Sequence, residues 1–216
     1  MARGFPTGED EGTKLAARGG WAVMEMGFVI GVIEAFYEPV SKEDYETIAA
    51  PDVWNRFLEA CGYTAKDGSL DPLLNDALDY PSYRSLVNRI LTPGVPGSVL
   101  PVESLYKNWS DDPENDFAER TGMYLSDHAL HMKALYEGFS IKVPERFRAM
   151  PDHLVLELEF YQLLLDAGRA EDASVFAKDH LDWISLYRTR LSERAADEDD
   201  TRIVAIVLFL EKLTGL

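Results

Sequence analysis

The chain has 216 residues, 46% of them apolar and 11% aromatic, which is enough for one folded globular unit and excludes a disordered chain. Its 38 acidic against 21 basic side chains leave a net charge of −17, which argues against a nucleic-acid partner, because phosphate binding needs a basic surface. The single cysteine, Cys61, excludes an internal disulfide framework and a cysteine-rich zinc site, and it suits a reducing cytosol.

In chain order, residues 1–16 contain glycine and mixed charge, with no basic segment running into an apolar one. They read as a flexible leader and not as a secretion signal. Apolar residues three and four apart then predict helices over 17–37, 42–60 (broken near Pro51), 79–91, 114–138 (with an interruption at Gly122), 152–167, 171–195 and 199–214. The most apolar of these, from Trp21 to Tyr37, carries Glu25 and Glu34, so it is a packed helix and not a membrane span. No run rich in Val, Ile and Thr with turn chemistry predicts a hairpin, and there is no internal repeat. The fold class is therefore all-α.

The prolines and glycines between Leu91 and Trp109 predict a long loop, with a short helix over Val102 to Tyr106. A second break, SIKVPERFRAMP, ends at Pro151. Gly168 stands where a left-handed residue should close the 152–167 helix.

The segment MPDHLVLELEF, Met150 to Phe160, alternates like a strand, but Asp152 to Asp166 is too long for one. On a helix, Val155, Glu159, Gln162 and Asp166 fall on one narrow stripe with Asp152 at its edge, and leucines and aromatics fill the rest. Asp152 thus begins the helix and faces outward, accepting amide hydrogen bonds of the first turn. His153 and Glu157, four apart, lie on the opposite, apolar side with Phe160 and Leu164. A carboxylate there must be paired or protonated. Either the two satisfy each other, or they form a polar patch in an apolar groove that receives part of a ligand. His128 and His180 each fall with apolar neighbours on their helices and read as core histidines.

Familiar catalytic patterns are missing. Every Asp-His pair has the reverse of the order that HD-type hydrolases use, and there is no Glu-x-x-His, phosphate loop, dinucleotide fingerprint or nucleophile elbow. His128 and His131, three apart, leave open a helical metal-dependent enzyme, but no partner ligands can be assigned. The residues alone read as a binding protein without cofactor or metal.

MPDHLVLELEF, followed by FAKDHLDW (Phe176 to Trp183), resembles the TorD/DmsD/NarJ-type redox enzyme maturation chaperones, whose hallmark continues as Asp-His-Leu-x-x-Glu-Leu-x-Phe. Asp152, His153, Leu154, Glu157, Leu158 and Phe160 meet that continuation, while Pro151 stands one place later than the hallmark proline. LPVESLYKNW (Leu100 to Trp109) and SDHALHMKALYEGFSIKVP (Ser126 to Pro144) are similar to the segments that precede it. The resemblance implies a helical bundle of two lobes joined by a hinge, here about 17–149 and 150–216, in a monomer or a lobe-swapped homodimer. It implies a non-enzymatic, cytoplasmic protein that binds the apo catalytic subunit, or the twin-arginine signal peptide, of a molybdenum- or tungsten-cofactor oxidoreductase. On this reading Pro151, Asp152, His153, Glu157, Phe160, Glu103, Tyr106, His180 and Trp183 are the candidate client-binding residues. The alternatives are the metal-dependent enzyme and a helical interaction module with no maturation role.

Overall fold

The structure, a computed structural model, describes residues 26–37, 41–60 and 77–214. The expected leader, Cys61 and the first part of the 17–37 helix lie outside the described residues. Every regular element among them is helical, and the extended backbone is limited to one isolated bridge.

Residues 26–37 form α1, which buries Val29, Ile33 and Phe36 on the core. Two short helices follow, α2 (Lys42–Ile48) and α3 (Pro51–Ala60). Ser41 caps α2 by accepting the Asp44 amide, and Pro51 opens α3, where its missing N–H costs nothing, so the expected break falls at Ala49–Ala50. Helix α4 (Tyr80–Leu86), capped by Asp79, runs into a π-helical turn at Val87–Leu91. Tyrosine hydroxyls tie this half together: Tyr83 donates to the Phe36 carbonyl at 2.8 Å, and Tyr45 to that of Leu78 at 2.7 Å. The Tyr45 and Tyr83 rings stack 3.9 Å apart.

The expected 114–138 helix is shorter. Helix α5 covers Asp127–Gly138 only, and 113–126 is a series of turns. Asp112 and Asn115 each accept the amide two residues on, so their side chains compete with helix formation. Positive φ at Gly122 (79°) and Leu125 (61°) then excludes a continuous helix.

Helix α6 (Leu154–Asp166) carries the opening motif and ends as expected, with Gly168 at φ 69° and the Arg169 amide returning to the Leu164 carbonyl. The expected 171–195 helix divides into α7 (Ala170–His180) and α8 (Ile184–Arg194). Leu181 and Trp183 are both buried, and residues two apart cannot share one helical face. The break lets both in, and the Trp183 indole N–H takes the freed His180 carbonyl at 2.8 Å. Helix α9 (Glu198–Thr214) packs back on α8. Buried side chains from α1 through α9 join one apolar cluster that runs across residues 149 and 150.

Candidate functional site

The site begins where the loop before α5 crosses the start of α6. Val102 and His153 form an antiparallel bridge: Leu154 N–H donates to the Pro101 carbonyl at 2.9 Å and Glu103 N–H to that of Asp152 at 3.0 Å. A 3₁₀ turn, Glu103–Leu105, follows at once and turns the Glu103 side chain inward. The strand-like look of MPDHLVLELEF thus has a small real counterpart, at Asp152 and His153 alone.

This crossing corrects two expectations about the motif. Asp152 does not face outward; it is fully buried, and its Oδ2 accepts from the Ser104 amide at 2.7 Å and from the Ser104 hydroxyl. The Ser104 hydroxyl also meets Ser126 at 2.8 Å, so Asp152 staples three separate segments. The cap of α6 is His153, whose Nδ1 accepts the Val155 amide at 3.3 Å. Burial, with Arg146 nearby, lowers its pKa to about 4, so the ring is neutral at pH 7. His153 therefore does not pair with Glu157. Its ring lies on Phe147, 4.8 Å between centroids, and the crossing strand turns the two residues apart.

Glu157 instead points at a second carboxylate. Its Oε2 accepts the Trp183 indole N–H at 3.1 Å, its other side meets Glu103, and Oε1 has no hydrogen-bond partner. Glu157 and Glu103 are both fully buried. Burial first, then the charges of Glu103 and Asp152, push the Glu157 carboxyl well above the usual range. The Asp152 pKa is also raised, chiefly by burial, although its bonds to Ser104 oppose this.

From Glu103 the polar chain runs to the surface. Its Oε2 lies 2.9 Å from His180 Nδ1, and His180 Nε2 lies 2.8 Å from Nδ1 of the exposed His131. Glu103 Oε1 faces Lys107 Nζ at 3.2 Å, and the same ammonium reaches Asp182 Oδ1 and the Asp179 carbonyl, each at 2.9 Å. Tyr106 stacks on Trp183 at 5.2 Å and donates its hydroxyl to the Leu100 carbonyl. Glu103, His180, Glu157, Trp183 and Tyr106 thus form one constellation, joined by Asp152 through Ser104. Lys107, Ser104 and Ser126 escaped the sequence reading, since nothing in their local pattern marks partners up to 75 residues away. His131 was legible only as a neighbour of His128 three residues on.

Phe160 sits apart from these groups, one turn along α6. Its ring contacts Phe139 and Phe176, each at 5.1 Å, and it lines two hollows of about 180 and 250 Å³ on either side of the helix. Phe139, Ile141, Leu163 and Val175 stand exposed around them, which makes an apolar strip across α5, α6 and α7. Asp172, Asp179 and Glu159 edge that strip, with Arg169 and Lys142. His180 reaches the first hollow, whereas Pro151, Asp152, Glu103, Glu157 and Trp183 lie buried behind it. Another hollow, about 580 Å³, lies among the polar groups of the loop from Asn108 to Arg120 and holds none of these residues.

Among the described residues no helix is long and apolar enough to cross a membrane. No curated protein and no solved structure matches the chain. Residues 91–197 match the nitrate reductase delta subunit family, and that span contains the crossing loop, the staple, the carboxylate constellation and the apolar strip. Over this segment, just under half of its length, the chain is similar to the nitrate reductase delta subunit family, the NarJ/TorD-type redox enzyme maturation chaperones of molybdoenzyme subunits.

Proposed function

We propose that the protein is a cytoplasmic chaperone that binds the apo catalytic subunit of a molybdenum- or tungsten-cofactor oxidoreductase through its twin-arginine signal peptide and assists maturation before export or assembly. The observation that carries this is the acid-edged apolar strip around Phe160. A twin-arginine peptide offers two guanidinium groups followed by an apolar segment. The strip offers Phe160 and its exposed neighbours for that segment, and Asp172, Asp179 and Glu159 for the cations. The net charge of −17 speeds the encounter with a basic peptide.

On this reading the candidate residues divide by role. Phe160 and His180 touch the client, and Pro151, Asp152, His153, Glu103, Glu157, Tyr106 and Trp183 hold α5, α6 and α7 in the arrangement that shapes the strip. The break from residue 139 to 153 is the hinge between lobes 17–149 and 150–216, and its opening permits lobe exchange into a homodimer. Light scattering on the purified chain reads the oligomer directly.

The test is calorimetric titration with the client's signal peptide in its Arg-Arg form and in a Lys-Lys form. Arg-Arg is expected to bind the more tightly, because a guanidinium pairs bidentately with carboxylates and an ammonium does not. Failure of both peptides and of the apo-subunit to bind removes the proposal.

A further inference from the structure

We propose that Glu103, Glu157 and His180 bind a single divalent transition-metal ion of the zinc class, in a buried site behind the surface histidines. This inference is independent of client binding and needs no signal peptide. Each of the three residues offers a ligand atom, and those atoms lie within 4.8 Å of one another although the residues come from the crossing loop, α6 and the end of α7. All three are buried; Glu103 Oε1 meets the Lys107 ammonium at 3.2 Å, but Glu157 Oε1 has no partner. Buried polar atoms are nearly always satisfied, so the orphaned Glu157 oxygen, aimed into a cluster of ligand atoms, asks for a ligand. Two carboxylates and a dication sum to zero charge, which is the cheapest way to bury them together.

The surroundings supply what such a site needs beyond its ligands. A ligating histidine is normally held by a hydrogen bond from its other ring nitrogen, and His180 Nε2 has that partner in His131 Nδ1 at 2.8 Å. With Nε2–H donated outward, Nδ1 can exchange its hydrogen bond with Glu103 Oε2 for the ion and offer it a lone pair. Glu157 is oriented in turn by the Trp183 indole N–H. An open hollow of about 500 Å³, lined by His128, His131, Lys107 and Asp182, reaches His180 from solvent and gives the ion a way in. The Lys107 ammonium already touches Glu103. It keeps Asp182 and the Asp179 carbonyl as partners and can release that contact. The mixed donor set of one imidazole and two carboxylates favours zinc and its neighbours over magnesium.

The experiment is equilibrium dialysis of the full chain against Zn²⁺ with Mg²⁺ in large excess, so that surface carboxylates are occupied. One Zn²⁺ per chain is expected to remain. Glu157→Gln keeps the shape of the side chain but removes a ligand, and should lower affinity at least about tenfold without lowering Tm. His131→Ala, at an exposed position, should lower it about 10- to 100-fold through the lost support of His180. A wild-type chain that retains no Zn²⁺ under Mg²⁺ overturns the proposal. So does a folded His131→Ala variant that binds as tightly as wild type, and that variant decides the matter if Glu157→Gln does not fold.

Discussion

Asp200 and Glu157 are both fully buried carboxyl groups in the first turn of a helix, yet their surroundings are opposite. Asp200, at the start of α9, faces Arg89 Nη1 at 2.9 Å and accepts the Ala196 amide, also at 2.9 Å. It is a closed arrangement that fastens the π-helical turn after α4 to α9. Glu157, at the start of α6, meets another carboxylate, has one indole donor, and keeps one oxygen without a partner. A fold that needs only a fastener makes the first kind. The second kind raises the free energy of the folded chain and is retained where something beyond folding uses it.

Three substitutions can break or sharpen this contrast. The largest effect should come from Arg89→Ala, which removes the guanidinium that faces buried Asp200; a loss of about 3 kcal/mol in urea unfolding is expected. A loss below about 1 kcal/mol would mean that Asp200 is held by its backbone contact alone.

His153→Asn ranks next and is read against pH. The folded pKa of His153 lies at about 4, below its ordinary value near 6.5, so between these limits the unfolded chain binds more protons. Stability from this residue is complete above pH 6.5 and is lost as pH falls toward 4. Asparagine can still cap α6 but does not titrate. It should remove about 2–3 kcal/mol of that acid limb, measured as unfolding free energy at pH 7 and pH 4. An unchanged limb would place the acid sensitivity elsewhere.

The smallest effect has the opposite sign. Glu157→Gln should stabilise the metal-free protein at pH 7 by about 1 kcal/mol, because it removes a buried ionisable group that faces another carboxyl group. Thermal unfolding with a chelator present checks this, and a clear drop in Tm would make Glu157 a fastener like Asp200.

The same contrast shows what could be read from the residues. Helix positions followed from apolar spacing, and the family from Asp152, His153, Leu154, Glu157, Leu158 and Phe160. Local chemistry also announced the Gly168 stop and the Pro51 break. Periodicity failed where a side chain outcompeted the helix, at Asp112 and Asn115, and where Leu181 and Trp183 both had to be buried. The site was legible as a set of residues but not as an arrangement. A helical wheel placed Asp152 outward because it knows nothing of Ser104, 48 residues upstream, whose amide and hydroxyl draw that carboxylate inside. The same blindness joined His153 to Glu157, when tertiary contacts send one to Phe147 and the other to Glu103 and Trp183.

The central claim is that the client docks on the apolar strip while the buried carboxylates stand behind it. Val175→Asp and Leu163→Asp place charges on exposed positions of that strip and should leave Tm within a few degrees of wild type. The most direct measurement is calorimetric titration of the Arg-Arg signal peptide into wild type and into the double variant. The account predicts at least a tenfold loss of affinity in the double variant. Undiminished affinity would place the client on another face and contradict it.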